Sequence, residues 1–246
     1  MAFGDRMIKH NPQRLQQLQD KIGYRFKDIS LLRKALTHSS FAYEVKDYEL
    51  EDNERLEFLG DGILDFVIAD ALYKKISYKD EGFLSKTRAM IVCEATLSDI
   101  AAELELGSFL LFGKGEMATN GAVKASNLAN AMEALFAAIY LDDGFDTARK
   151  VIINVMNKSI NDALEGRLIY DYKSKLLEIV QTKEFSGQTL SFEIISEEGP
   201  VHNRVFTAQA ILNEIVVGQG CGKSKKQAEQ EAARDAIRNN GVVPHQ

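Results

Sequence analysis

The hydrophobic period of this chain changes once, near residues 164 to 169, and that change limits the architectures open to it. From residue 12 to about 141 apolar residues recur at intervals of three and four, as in LLRKAL (31–36) and ILDFVIADALYKKI (63–76). That spacing lines them along one side of a helix. Breaks are expected at Gly82, at GSF (107–109), within GKGEMATNGAVKAS (113–126) and at DDG (142–144). Beyond EGRLIYD, a helical YKSKLLEIVQ (172–181) gives way to three alternating runs, LSFEIISEEG, NRVFTAQAIL and NEIVVGQGCG, and then to a helix from SKKQAEQEAARDAI. The pattern predicts an all-α domain over residues 1–165 and a small α+β domain (α-β-β-β-α) with an antiparallel sheet over residues 169–240.

Other classes are disfavoured. No run of about 18 apolar residues exists, and the start lacks an unbroken apolar signal core, so a cytoplasmic protein with no membrane partner is expected. Cys93 and Cys221 stand far apart, without the spacing of a zinc site or a disulfide framework, and read as free thiols. A net charge of −6 argues against general adhesion to nucleic acid, so any such binding must come from local clusters.

The stretch NERLEFLGD (53–61) places Glu54, Glu57 and Asp61 on one helix face, within roughly 60° of each other at 100° per residue. Leu56, Phe58, Leu59, Ile63 and Leu64 crowd the flanks, so the stripe borders a packed interior. Two readings fit. The acids form a solvated face paired with Arg55 or nearby lysines, or they form half of a site. A second helical run, NLANAMEALFAAIYLD, sets Glu133 among Met132, Leu135, Phe136 and Ile139. Carboxylates converging from two helices would suit Mg²⁺ or Mn²⁺, which prefer oxygen ligands and activate water for phosphodiester hydrolysis. Asp65, one turn beyond Asp61, reads as solvated or supporting. Phe58, Phe66, Tyr73, Phe136 and Tyr140 fall at helical spacing and read as core.

Near the C-terminus, GCGKSKKQAEQEAA combines a glycine-punctuated loop with Lys223, Lys225 and Lys226 around a helix start, with Ser224 as N-cap. Backbone N–H groups and lysines there suit phosphate, although a solvated cluster before an amphipathic helix fits equally well. The turn GPVH, with Pro200 and His202, would add a second contact to a duplex recognised by shape and 2′-hydroxyl groups.

These residues closely resemble the bacterial ribonuclease III family. NERLEFLGD matches its signature nearly letter for letter, and ALTHSS (35–40), DEGFLSKTRA (80–89), LFGKGE (111–116) and MEALFAAIYLDDGF (132–145) follow in family order. DYKSKLLE, GPVHNRVF and GKSKKQAEQEAA resemble its double-stranded RNA-binding domain, so the likeness covers nearly the whole chain. The resemblance implies a homodimeric, Mg²⁺-dependent endoribonuclease, with Mn²⁺ as substitute, that cuts double-stranded RNA. Its products would carry 5′-phosphate and 3′-hydroxyl ends with short 3′ overhangs, and its substrates would be ribosomal and transfer RNA precursors and structured messages. It implies metal ligation by Glu57, Asp61 and Glu133, with Asp61 and Glu133 catalytic, and supporting roles for Glu54 and Glu81. Ser174, Glu178, Pro200, His202, Lys223, Lys225 and Lys226 would contact RNA. Thr37 and His38 of ALTHSS read as structural.

The chain departs from the family at Asn130 and Leu177, and mildly at Ser174, where threonine is common and the hydroxyl is kept. Asn130 stands where the family has an aspartate three residues before Glu133, which adds Asn130 to the metal set as a neutral ligand and predicts weakened cleavage. A protein that binds double-stranded RNA without cutting it is the alternative. Leu177 stands where the family often carries a glutamine that contacts RNA.

Overall fold

The computed structural model describes residues 11–45, 51–165, 167, 172–181, 188–199 and 204–239. The chain divides into two compact units, residues 1–168 and 169–246.

The first unit is helical, and its helices start and stop where local chemistry dictates. Helix α1 (Pro12–Ile22) begins at Asn11, whose side chain accepts the Arg14 N–H at 2.8 Å, and ends at Gly23 with φ of 70°. Helix α2 (Ile29–Ala35) is capped by Asp28, and α3 (Ser39–Val45) follows directly. Helix α4 (Glu54–Lys75) contains NERLEFLGD. Helix α5 (Glu81–Val92) starts at Asp80, which accepts the Phe83 N–H at 2.9 Å. Gly82 is therefore inside the helix, and the expected break lies before it: a capping aspartate outweighs one helix-disfavouring glycine.

Helix α6 (Glu94–Glu103) leads into short turns and α7 (Lys114–Ala118), within the stretch expected to be broken. Helix α8 (Ala125–Leu164) is interrupted at Asp143 and Gly144, the latter with φ of 80° and ψ of 177°. The DDG break is thus a sharp kink. Asp142 secures it by accepting the backbone N–H groups of Lys27 and Asp28, each at 2.8 Å, and the Tyr24 hydroxyl at 2.5 Å.

Helices α4 and α8 pack along each other through the middle of the core, where Leu64, Val67, Ile68, Met132, Leu135 and Phe136 are buried. The aromatic residues divide differently from expectation. Phe136 is buried and Tyr140 half-buried, but Phe58, Phe66 and Tyr73 are 84%, 59% and 75% exposed. They lie at the margin of the α4–α8 contact, Phe58 lining a cleft with Asn130 and Glu133 and Phe66 resting against Phe145 with ring centres 5.6 Å apart, because α4 carries apolar residues on both flanks of its acidic stripe and α8 covers them incompletely. Among the described residues no helix is long and apolar enough to cross a membrane.

The second unit runs α9 (Tyr172–Val180), β1 (Leu190–Glu198), β2 (Val205–Leu212), β3 (Ile215–Gly222) and α10 (Lys225–Asn239), with an antiparallel sheet ordered β1-β2-β3. Leu176, Ile179, Ala208, Ala210, Ala228, Ala232 and Ala236 share its core. The run NEIVVGQGCG forms the expected third strand, and Gly220 and Gly222 of GCG belong to β3 and not to a glycine-punctuated loop. A Cβ at Gly218 or Gly220 would overlap backbone atoms of Ala232, and one at Gly222 would stand 2.6 Å from the Ala228 nitrogen. They are small so that α10 can lie directly on the strand.

Candidate metal centre and nucleic-acid surface

The start of α4 is anchored by Asn53, the first residue of NERLEFLGD, to which helical spacing assigns no role. Only 4% exposed, it donates its backbone N–H to Thr37 O at 2.9 Å and its side-chain amide to Ala35 O at 3.3 Å. The first turn is thereby tied to the end of α2. Thr37 donates its hydroxyl to Arg33 O at 2.8 Å, and His38 pairs Nδ1 with the Ser40 hydroxyl at 2.9 Å, so both serve this corner.

Two turns further on, Gly60 meets the backbone of Glu133, where an added Cβ would overlap the carbonyl group. The close approach brings the acidic stripe of α4 beside α8. Glu54, Glu57, Phe58, Asp61, Asn130 and Glu133 line one open cleft of about 480 Å³. Glu81 does not line it; it accepts the Ser85 hydroxyl at 2.7 Å on α5.

The cleft is electrostatically unbalanced. Burial, then the charges of Asp61, Glu57 and Asp65, push the Glu133 carboxyl up to about 7. Burial and the neighbouring Glu54 and Asp61 also raise the Glu57 carboxyl, with the polar Asn130 side chain beside it acting in the opposite sense. Among the described residues none of Glu54, Glu57, Asp61 and Glu133 forms an ion pair, while Arg88 pairs with Asp65 at 3.7 Å and Lys34 with Glu51. Among the described residues, no three His, Cys, Asp or Glu side chains are gathered tightly enough to hold an ion by themselves. An all-oxygen donor set, surplus negative charge and no paired cation nevertheless suit a hard divalent ion that draws the acids together.

In the second unit, Lys223, Ser224, Lys225 and Lys226 are exposed where β3 meets α10. Ser224 accepts the Gln227 N–H at 3.2 Å, and Gln227 Oε1 accepts the Lys223 N–H at 2.9 Å, which fixes the helix start. The Lys225 ammonium stands 6.0 Å from the Phe206 ring centre. Acids of the same unit pair with other cations: Glu229 with Lys173, Glu231 with Arg234 and Glu178 with Lys175. Ser174, Leu177 and Glu178 share the exposed face of α9. Pro200 and His202 lie outside the described residues.

Residues 28–160 match the family described as ribonuclease-III-like, and residues 172–240 match the double-stranded RNA binding motif. The chain is 48% identical to ribonuclease 3 of Caldanaerobacter subterraneus subsp. tengcongensis over 93% of its own length and 99% of that protein. It is 46% identical to ribonuclease 3 of Pelotomaculum thermopropionicum, over 91% of this chain and 92% of that one. Among solved structures, the nuclease domain of ribonuclease III from Campylobacter jejuni is 39% identical, with a TM-score of 0.55, covering 60% of this chain and 96% of that domain. A second structure of that domain, 40% identical with a TM-score of 0.54, covers 58% of this chain and 96% of its own, and is described as flexible in a region involved in dimer formation.

Proposed function

The chain belongs to the ribonuclease III family and is an endoribonuclease of double-stranded RNA; from that premise we propose that Glu57, Asp61 and Glu133, with Asn130 as a weaker neutral ligand, hold the Mg²⁺ on which cleavage depends. Mn²⁺ would substitute. The observation that carries this reading is Glu133, a carboxyl raised to about 7 in a cleft where the charges acting on it are negative. A divalent ion bound there would supply positive charge against the scissile phosphate and make bound water more acidic. Asp61 orients water from the exposed side of the stripe, and Glu133 would hold the ion as an ionised carboxylate, the proton it carries near neutral pH in the empty cleft being released on binding. Glu54 lines the cleft mouth and adds negative potential. Glu81, held by Ser85, is a supporting acid outside the cleft.

Lys223, Lys225 and Lys226 bind backbone phosphates of the duplex, while Ser174 and Glu178 meet 2′-hydroxyls across the minor groove; Pro200 and His202 complete that surface. The exposed face of Phe58, Phe66 and Tyr73 joins two copies into a homodimer. Products with 5′-phosphate and 3′-hydroxyl ends and short 3′ overhangs, made in the cytoplasm from precursor ribosomal and transfer RNA and structured messages, complete the proposal. Asn130 weakens the activity.

The test is cleavage of a long RNA duplex in EDTA, Mg²⁺ and Mn²⁺, with Asn130→Asp and Glu133→Gln alongside. Cutting with either metal but not in EDTA, faster in Asn130→Asp and lost in Glu133→Gln with binding retained, is expected. Metal-independent cutting, or full activity in Glu133→Gln, refutes it.

A further inference from the structure

Asp142 follows Glu133 on α8 by more than two turns and lines no part of the cleft. Its carboxylate nevertheless gathers the backbone N–H groups of Lys27 and Asp28 and the Tyr24 hydroxyl. Asp28 is the cap of α2, so Asp142 holds the first end of that helix. The other end is held from α4, where Asn53 donates its backbone N–H to Thr37 O and its amide to Ala35 O. Helix α2 therefore joins the start of α4 to the part of α8 that precedes the kink. Resting on the reading of this cleft as the site of cleavage, we infer that α2 is a strut between the two acid-bearing helices, and that Asp142 is a positioning residue that aligns Glu133 with Glu57 and Asp61 through it.

The burial pattern of α4 makes such a strut necessary. Its large buried residues Ile63, Leu64, Val67, Ile68 and Leu72 all follow Asp61, whereas before Asp61 it buries only Leu56 and Gly60. The turns that carry the acids are thus the least anchored part of the helix. Leu56 packs there with Ala35 of α2 and with Ala134, Ala137 and Ala138 of α8. Interlocked side chains fix the register of packed helices, and a face of alanines offers only shallow ridges. Hydrogen bonds at the two ends of α2 supply the missing direction, because they weaken steeply as their geometry is lost, and those to an ionised carboxylate are the stronger kind. The contact of Gly60 with Glu133 is the third fixed point, so α2, α4 and α8 close a triangle. Opening one corner lets the acids shift against each other, and a misplacement of about 1 Å at a reacting centre costs up to roughly a hundredfold in rate.

The full chain is assayed on a long RNA duplex in saturating Mg²⁺, by single-turnover cleavage well below the melting transition of every variant, with duplex affinity measured in EDTA. Asp142→Ala is expected to cut roughly ten- to a hundredfold more slowly than the wild type, with duplex affinity within about twofold. Asn53→Ala should show a similar loss. Because release of either end already frees the strut, the double variant should cut no more than about threefold more slowly than the slower single variant, while the losses of melting temperature add, since the two residues share no partner. A merely structural role would give rate losses that vanish in folded protein or that multiply in the double variant. Asp142→Asn keeps one acceptor oxygen but turns a donor toward the remaining N–H and hydroxyl groups, so its rate should lie between those of the wild type and Asp142→Ala. If Asp142→Ala does not fold, the Asn variant must carry the rate loss. Wild-type rates in folded Asp142→Ala or Asn53→Ala, or losses that multiply, overturn the inference while Glu133→Gln stays inactive. Full cleavage by Glu133→Gln overturns the reading of the cleft, and the inference falls with it.

Discussion

Gly60 and Glu133 meet backbone to backbone, and a Cβ on Gly60 would overlap the Glu133 carbonyl group. No other residue lets α4 and α8 approach this closely, and the approach holds Asp61 beside the carboxylate expected to work with it. The glycine sits one position before Asp61, so structure and chemistry depend on the same turn.

Replacing Gly60 with alanine forces the two helices apart at their contact. Overpacking of this kind costs about 1–3 kcal/mol. The expected outcome is a melting temperature lowered by several degrees and cleavage lost far beyond what the fraction unfolded explains, with duplex binding retained. Unimpaired cleavage in Gly60→Ala would show that this spacing is not needed.

Asn53 sets the start of the same helix, two turns before Gly60. Its amide reaches Ala35 O from a buried position, so Asn53→Ala leaves that carbonyl without this partner, while Asn53→Asp turns a donor into an ionised acceptor facing an oxygen. A buried polar group left unsatisfied costs about 1–3 kcal/mol. Both variants should lose stability, Asp more than Ala, as read by denaturant midpoint. Equal stability of the Asp variant and the wild type would contradict the bond.

Much of this site is legible in the sequence, for identifiable reasons. Helical geometry alone puts Glu54, Glu57 and Asp61 on one stripe, and Glu133 stands out because an acid in an apolar run needs a partner. Which apolar residues face water is not legible the same way. Phe58, Phe66 and Tyr73 are spaced like core residues, but α4 is apolar on both flanks, and only the position of α8 decides which flank is covered. Gly220 and Gly222 admit two readings for a related reason. Glycine spacing looks alike in a phosphate loop and in a strand under a helix; the alternation of NEIVVGQGCG gives the strand, and only the packing of α10 shows that GCG belongs wholly to it. The anchoring role of Asn53 is not legible either, since its partners Thr37 O and Ala35 O come from another helix end and are set by tertiary packing.

The pH dependence of metal-free stability should reveal Glu133. Its carboxyl is raised from an ordinary 4.5 to about 7 in the folded state, so between those values the folded protein binds more protons than the unfolded chain. Stability from this group is therefore greatest at low pH and falls as pH rises from 4.5 to 7. Carboxylates held low by cations, such as Asp70 beside Lys74, act in the opposite sense. The difference between wild type and Glu133→Gln isolates the effect: in EDTA, Glu133→Gln should gain stability relative to wild type on going from pH 5 to pH 7.5, and added Mg²⁺ should cancel the gain. A pH-independent difference would mean that Glu133 is not strained by its neighbours.

Binding and folding can be separated in the RNA-binding unit by two kinds of variant. Lys225 and Lys226 are exposed, and neither supplies the cap of α10, which rests on Ser224 and Gln227. Lys225→Ala with Lys226→Ala should leave melting unchanged, weaken binding to every duplex alike and reduce the salt slope of binding by about 1–2. Gly220→Val should also abolish binding, but by driving β3 away from α10, since a side chain there would overlap the helix backbone at Ala232. In that variant the transition of this unit should be lost while the nuclease unit still melts. The lysine variant thus loses phosphate contacts on an intact surface, and the glycine variant loses the surface. An unchanged salt slope in the first would remove Lys225 and Lys226 from the phosphate contacts, whatever happens to affinity.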